Sequence, residues 1–125
     1  MRLILNCDIG TSSVEMFTLL QWYPLSYRYK YNLVVSVHKA ICGLSPPYIR
    51  DMITEHDPQR SLRSASNIAL QVPFARTELL KQSFRVIAPS LYNDLPTAIR
   101  SCTSVRVFKL ACYKFYRQSF FDTFT

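Results

Sequence analysis

Ser83 to Ser101 reads SFRVIAPSLYNDLPTAIRS, and the fold turns on how this stretch is read. Pro89 and Pro96 stand seven residues apart. Each removes a backbone donor and crowds the preceding turn, so both cannot sit inside one regular helix. The expected order is a strand-like run over 83–88, a short helical turn, and a fresh start at Pro96. Phe84 and Val86 alternate with Arg85 in the first part. Leu91, Tyr92 and Leu95 have helical spacing, and Asn93-Asp94 offers turn chemistry. Upstream, Ile68, Leu70 and Val72 alternate with Asn67, Ala69 and Gln71, and Pro73 ends the run. That pattern predicts a half-buried strand. The two runs then pair as an antiparallel hairpin across a long connection, Phe74 to Gln82. The expected fold class is α+β, mainly α-helical, with one small antiparallel β-hairpin (about residues 67–72 and 83–88).

Around this hairpin the pattern is helical. Ser12 and Glu15 form a capping box that starts a helix through Leu20. Pro24 stops it or begins the next, and Trp22, in the corner, reads as a core anchor in preference to a ligand platform. From Leu25 to Cys42, Tyr27, Tyr31, Val34, Val37, His38 and Ile41 recur at helical spacing, and Gly43 is an apt stop. His38 reads as a hydrogen-bonded packing residue, since no catalytic partner is near it in sequence. Pro46-Pro47 opens a short helix over Tyr48 to Thr54. Glu55 to Ser66 is a polar loop. Pro96-Thr97 opens a single turn through Arg100. Ser104 caps a last helix with a stripe of Val105, Phe108, Ala111, Cys112 and Phe115. The expected organisation is a ragged end over 1–10, a single domain over 11–121, and a frayed tail over 122–125.

Composition narrows the class further. The chain has 125 residues, enough for one domain with a modest core. Two glycines against seven prolines favour helices punctuated by proline over a many-stranded barrel or sandwich. The net charge is +7. Residues 1–60 hold six Lys/Arg against five acids, and residues 61–125 hold nine against three, so most of the excess lies in the second half. Such a half suits a phosphate-facing surface, and it also suits an ordinary solvated one. Cys7, Cys42, Cys102 and Cys112 lack ligand spacing to one another or to a His, so they read as reduced, mostly buried thiols. The start, MRLILNCDIG, is too short in apolar run for a leader, and no run reaches membrane-spanning length. The expected setting is intracellular, cytoplasmic or nuclear, and not secreted.

Catalytic constellations are missing from the sequence. No Gly-rich phosphate loop is present, no Asp pair stands in a strand–turn–strand setting, and neither His38 nor His56 has triad-like partners. The Asp51, Glu55, His56 and Asp57 cluster reads as a solvated face. The expectation is a chain that is not itself an enzyme and takes no cofactor, metal or small-molecule substrate. Nucleic-acid contact is the candidate role, with Arg60, Arg63, Arg76, Lys81, Arg85, Lys109, Lys114 and Arg117 on phosphates. They should then form one continuous face. A basic amphipathic helix such as the last can lie on a membrane or on nucleic acid, and it is more often simply a packed helix with a wet face. A different class, a protein-interaction module, would expose Tyr27, Tyr31, Tyr113, Tyr116 and Phe120 as a patch.

Several signals recur in a fixed order: Leu20-Gln21-Trp22-Tyr23-Pro24 with Arg28; His38-Lys39, then Gly43-Leu44-Ser45-Pro46-Pro47-Tyr48; Arg60-Ser61-Leu62-Arg63-Ser64; Val72-Pro73 with Arg76-Thr77; Ser83-Phe84; Leu91-Tyr92-Asn93-Asp94-Leu95-Pro96 with Ile99-Arg100; and Phe108-Lys109. From about Gly10 to about Phe121 the chain resembles the C-terminal region of the open reading frame of non-LTR (LINE-type, jockey/CR1-like) retrotransposons. Trp22, Pro24, Gly43, Pro47, Tyr48, Phe84, Tyr92, Asn93, Leu95, Pro96 and Phe108 carry the likeness. Tyr92 stands where that family usually has Trp, Tyr23 where an aliphatic residue is common, and His38 where Tyr or Phe is common; these are size-tolerant swaps. The resemblance implies a post-polymerase tail of an RNA-directed DNA polymerase, cut off from the upstream aspartates. It implies RNA or DNA and the upstream polymerase region as partners, with no membrane. A functionless remnant of a decayed element is the other outcome it allows.

Overall fold

The computed structural model describes residues 1–55 and 69–124. Eight helices occupy the described residues: α1 (Arg2–Leu5), α2 (Ser13–Leu20), α3 (Leu25–Ile41), α4 (Pro47–Asp51), α5 (Glu78–Lys81), α6 (Phe84–Asn93), α7 (Thr97–Arg100) and α8 (Val105–Phe124). The spine is α3, with α6 and α8 packed along it, α4 also against it, and α7 against α8. Three ring pairs set the direction of α8. Tyr27 meets Phe120, Tyr31 meets Tyr113, and His38 meets Phe108, so α3 and α8 run antiparallel.

Local signals explain most of these boundaries. The Glu15 N–H donates to Ser12 Oγ and the Ser12 N–H donates to Glu15 Oε2, both at 3.2 Å, so the capping box starts α2 as expected. Past the end of α3, Gly43 takes φ 77°, a left-handed angle that glycine adopts without a Cβ clash. Pro47 and Pro96 open α4 and α7, where a missing N–H costs nothing.

The expected hairpin is not there. Among the described residues there is no strand or sheet, and the fold class is corrected from α+β to helical. Residues 84–93 form α6, with Pro89 inside it. Phe84, Ile87, Ala88, Leu91, Tyr92 and Leu95 follow the 3.6-residue period, and Ala88, Tyr92 and Leu95 are buried. That continuous stripe outweighs the short Phe84/Val86 alternation. Pro89 removes one ladder bond, which its buried ring offsets by filling the core. The other half of the hairpin was expected at 67–72. Residues 67 and 68 lie outside the described residues, and Leu70 makes only an isolated antiparallel bridge with Glu55. Its backbone is held instead by a side chain. Asn93 Nδ2 donates to the Leu70 carbonyl at 2.8 Å, and the Leu70 N–H donates to Asn93 Oδ1 at 2.9 Å. One amide thus supplies the two bonds a partner strand would have given.

The core gathers Val34, Val37 and Ala40 of α3, Ala88 and Tyr92 of α6, Leu95, and Phe108, Cys112 and Tyr116 of α8. Each large apolar side chain buried here contributes about 1.5–3 kcal/mol of transfer free energy. At its centre Phe108 is stacked on the His38 ring, with centroids 3.8 Å apart and planes 4° from parallel, and on Tyr92 at 6.2 Å.

Two further expectations change. Trp22 is no core anchor, being 48% exposed. Gln21, at φ 54°, turns the chain out of α2, and the Trp22 N–H closes on the Phe17 carbonyl at 2.9 Å. That closure aims Trp22 away from the apolar side of α2. α8 runs through Phe124, and Phe120 is buried. The tyrosine and phenylalanine patch is also not built. Tyr116 and Phe120 belong to the interior, Tyr27 and Tyr31 are half-buried, and only Tyr113 is exposed.

Candidate nucleic-acid interface

Two antiparallel helices dominate the electrostatics. Between them α3 and α8 carry Arg28, Lys30, Lys39, Arg106, Lys109, Lys114 and Arg117, against Asp122 alone. Helix geometry arranges the α8 set. Arg106, Lys109, Tyr113 and Arg117 are spaced three or four residues apart, so they share one flank. Lys114 lies about 140° around the axis from Lys109, at about 100° per residue. It falls on the outer face with the exposed Val107 and Leu110.

The shared flank meets the α2–α3 corner. Tyr113 packs edge-on against Tyr23, with centroids 5.3 Å apart, and against Tyr31 at 6.4 Å. Trp22, Tyr23, Arg28 and Tyr113 line a groove of about 260 Å³ there. Pro24, capping α3, and the left-handed Gln21 fix the corner from both sides. Burial pushes the Tyr23 and Tyr31 hydroxyls up from their ordinary range, while the Arg28 guanidinium pulls both the other way. The phenols therefore stay neutral and act as ring surfaces and hydrogen-bond donors, with the positive charge supplied by Arg28.

The eight cations expected to form one face do not all gather here. Arg60 and Arg63 lie outside the described residues. Lys109 and Arg117 belong to the groove-side flank, and the Arg117 guanidinium also sits 5.7 Å from the Phe121 ring centroid. Lys81 belongs to α5 and Arg85 to α6, with Arg76 just ahead of α5, so none of the three is on α3 or α8. Lys81 is paired with Glu78 at 2.6 Å. Arg85 lines a different pocket with Asp51, Met52, Thr54, Gln71 and Pro73. The structure thus splits the set. It also adds Arg28, Arg106 and Trp22, which the sequence reading had not placed at a site. The available signal was the density of aromatics around Arg28 in the WYPLSYRYKY run.

The motif residues of the resemblance serve architecture. Tyr92, Leu95 and Phe108 are core, Asn93 ties Leu70, and Gly43, Pro47 and Pro96 set helix ends. Tyr48 is exposed, Phe84 is half-buried, and Trp22 is on the surface. His38 is buried, with Nε2 3.5 Å from Cys42 Sγ. Burial pushes its imidazole below the ordinary histidine range, so it is neutral at physiological pH. Among the described residues no group of three His, Cys, Asp or Glu is placed to hold a metal ion. No helix of the described residues is long and apolar enough to cross a membrane. Compared with protein-family models, curated proteins and solved structures, the chain matches none of them.

Proposed function

We propose that the chain is the helical tail of a non-LTR (LINE-type, jockey/CR1-like) retrotransposon reverse transcriptase, non-catalytic by itself, which holds nucleic acid along the basic flank of α3 and α8. The observation that carries the contact role is the imbalance on those two helices: seven cations against Asp122. The flank formed by Arg28, Arg106, Lys109 and Arg117 is a phosphate-tracking surface, and phosphate contact is the sequence-independent part of nucleic-acid affinity. The ordered motif set supports the family. Its residues also have coherent roles in the fold, as the Asn93–Leu70 tie and the Tyr92–Phe108 stack illustrate.

Two tests separate family from activity. The genomic sequence just upstream should hold a polymerase reading frame, intact or broken; an unrelated neighbour there removes the family assignment. Labelled RNA and DNA oligonucleotides should bind at low salt, and Lys109→Gln with Arg117→Gln should weaken binding of every sequence alike. Binding that survives both substitutions unchanged sinks the contact role.

A second reading rests on exposed apolar side chains. Leu3 is 98% exposed, Phe74 90%, Ile9 88% and Leu25 84%. Exposed apolar side chains suit a polypeptide partner where they adjoin one another, and the upstream polymerase region is the occupant this reading names. Salt-insensitive association with that region, alongside absent oligonucleotide binding, would favour an interaction module.

A further inference from the structure

We infer that the groove at Trp22, Tyr23, Arg28 and Tyr113 is a stacking site for one unpaired base of a single-stranded nucleic acid. The inference rests on the phosphate-contact reading above and adds the form of nucleic acid that is held. Trp22 is the only Trp of the chain and is 48% exposed. Its backbone is nonetheless fixed, between the Phe17 closure and the Pro24 cap. A large, half-exposed aromatic ring on a rigid corner has lost apolar burial that the core could have used. About half of its surface is open to a planar partner.

The groove fits a base better than its rivals. At about 260 Å³ it is smaller than the roughly 300–1,000 Å³ of pockets for drug-sized ligands, and suits a single planar ring system. Tyr23 and Tyr113 form its other walls, locked edge to face at 5.3 Å. Arg28 at the rim repels a ligand cation and attracts a phosphate. Arg106, Lys109 and Arg117 continue the positive charge along α8, as a backbone tracking past the groove requires. A duplex keeps its bases stacked on one another and offers no free face to Trp22. A single strand does, and base–aromatic stacking tolerates any base because each has a π-face.

The lone Trp makes the test direct. The full chain is titrated at low salt with a short oligouridylate, its oligothymidylate counterpart and an RNA duplex of matching length, following Trp fluorescence. Both single strands should quench it and the duplex should not. Anisotropy of a labelled oligouridylate then compares variants. Trp22→Ala should bind about 5- to 150-fold more weakly, the range expected for losing one stacked base. Trp22→Phe should recover most of the loss, and Leu19→Ala, on exposed α2 surface away from the groove, should bind as the parent does. Circular dichroism should be unchanged in all three, since none touches the core.

Outcomes divide cleanly. If the parent binds with strong salt dependence but Trp22→Ala binds equally well, the stacking site is overturned and the phosphate-contact role stands. Equal quenching by the duplex also overturns the single-strand assignment. Absence of any binding by the parent at low salt overturns both.

Discussion

Truncating Phe108 to alanine should strongly destabilise the packing of the two long helices. The Phe108 ring is fully buried. It lies on His38 at 3.8 Å and on Tyr92 at 6.2 Å, so it joins α3, α6 and α8 at one point. Phe→Ala in such a site costs about 3–5 kcal/mol, combining lost transfer energy and the cavity left behind. The aromatic pairing, about 0.5–1.5 kcal/mol, is part of that figure. Against a total stability of about 5–15 kcal/mol, this is a large fraction. With a urea slope of about 1–3 kcal/mol per molar, the midpoint should fall by roughly 2 M. Far-UV circular dichroism in urea reads it. Phe108→Leu keeps most of the volume and should cost far less, which preserves the test if the alanine variant fails to fold. Leu110→Ala, two residues along and 58% exposed, should change stability by under about 0.5 kcal/mol. A Phe108→Ala cost below about 1 kcal/mol, or a Leu110→Ala cost as large as that of Phe108→Ala, would show that α8 packs on another face.

Three other outcomes are expected. Asn93→Ala removes both bonds to Leu70 and leaves its buried backbone groups unpaired, so stability should drop by about 1–3 kcal/mol, with amide exchange at Leu70 speeding most; unchanged exchange there refutes the strand-mimic role. Stability should also depend on pH at both ends. The lowered His38 pKa means the unfolded chain binds the extra proton, so stability falls as pH drops below about 6.5, and His38→Gln should flatten that arm. Tyr92 and Cys112 are pushed up to about 12 by burial, so they hold their protons only when folded, and stability falls again as pH rises from about 9 towards 12. Finally, the exposed Cys42 should react with a thiol reagent in the folded chain, while Cys112, buried and held protonated, should react only on unfolding; early labelling of Cys112 contradicts its placement.

What the sequence showed follows the range of the signals. The Ser12/Glu15 box, the Gly43 stop and the Pro47 and Pro96 starts act within a few residues, and all four operate as expected. The hairpin failed because six residues fit two periods. Phe84 and Val86 alternate, yet Phe84, Ile87, Ala88 and Leu91 also mark a helix face. Pro89 masks the second pattern, because the cost of its one lost ladder bond is set by tertiary burial that no local signal records. The site was less legible than the fold. Trp22 faces solvent because Gln21, a non-glycine residue, adopts a left-handed turn. The groove needs Tyr113, from the far end of the chain. Splitting of the cations into two groups depends on which helices pack on α3, a property of the whole fold.

The salt dependence of binding tests the central claim most directly. If single-stranded RNA is held by phosphate contacts from Arg28, Arg106, Lys109 and Arg117, the logarithm of the binding constant should fall linearly with the logarithm of salt concentration. Its slope should be near −3, at about −0.7 per phosphate contact. Lys109→Gln with Arg117→Gln should bring the slope to about −1.4. A slope near zero, or one that the double substitution leaves unchanged, contradicts a nucleic-acid interface on α3 and α8.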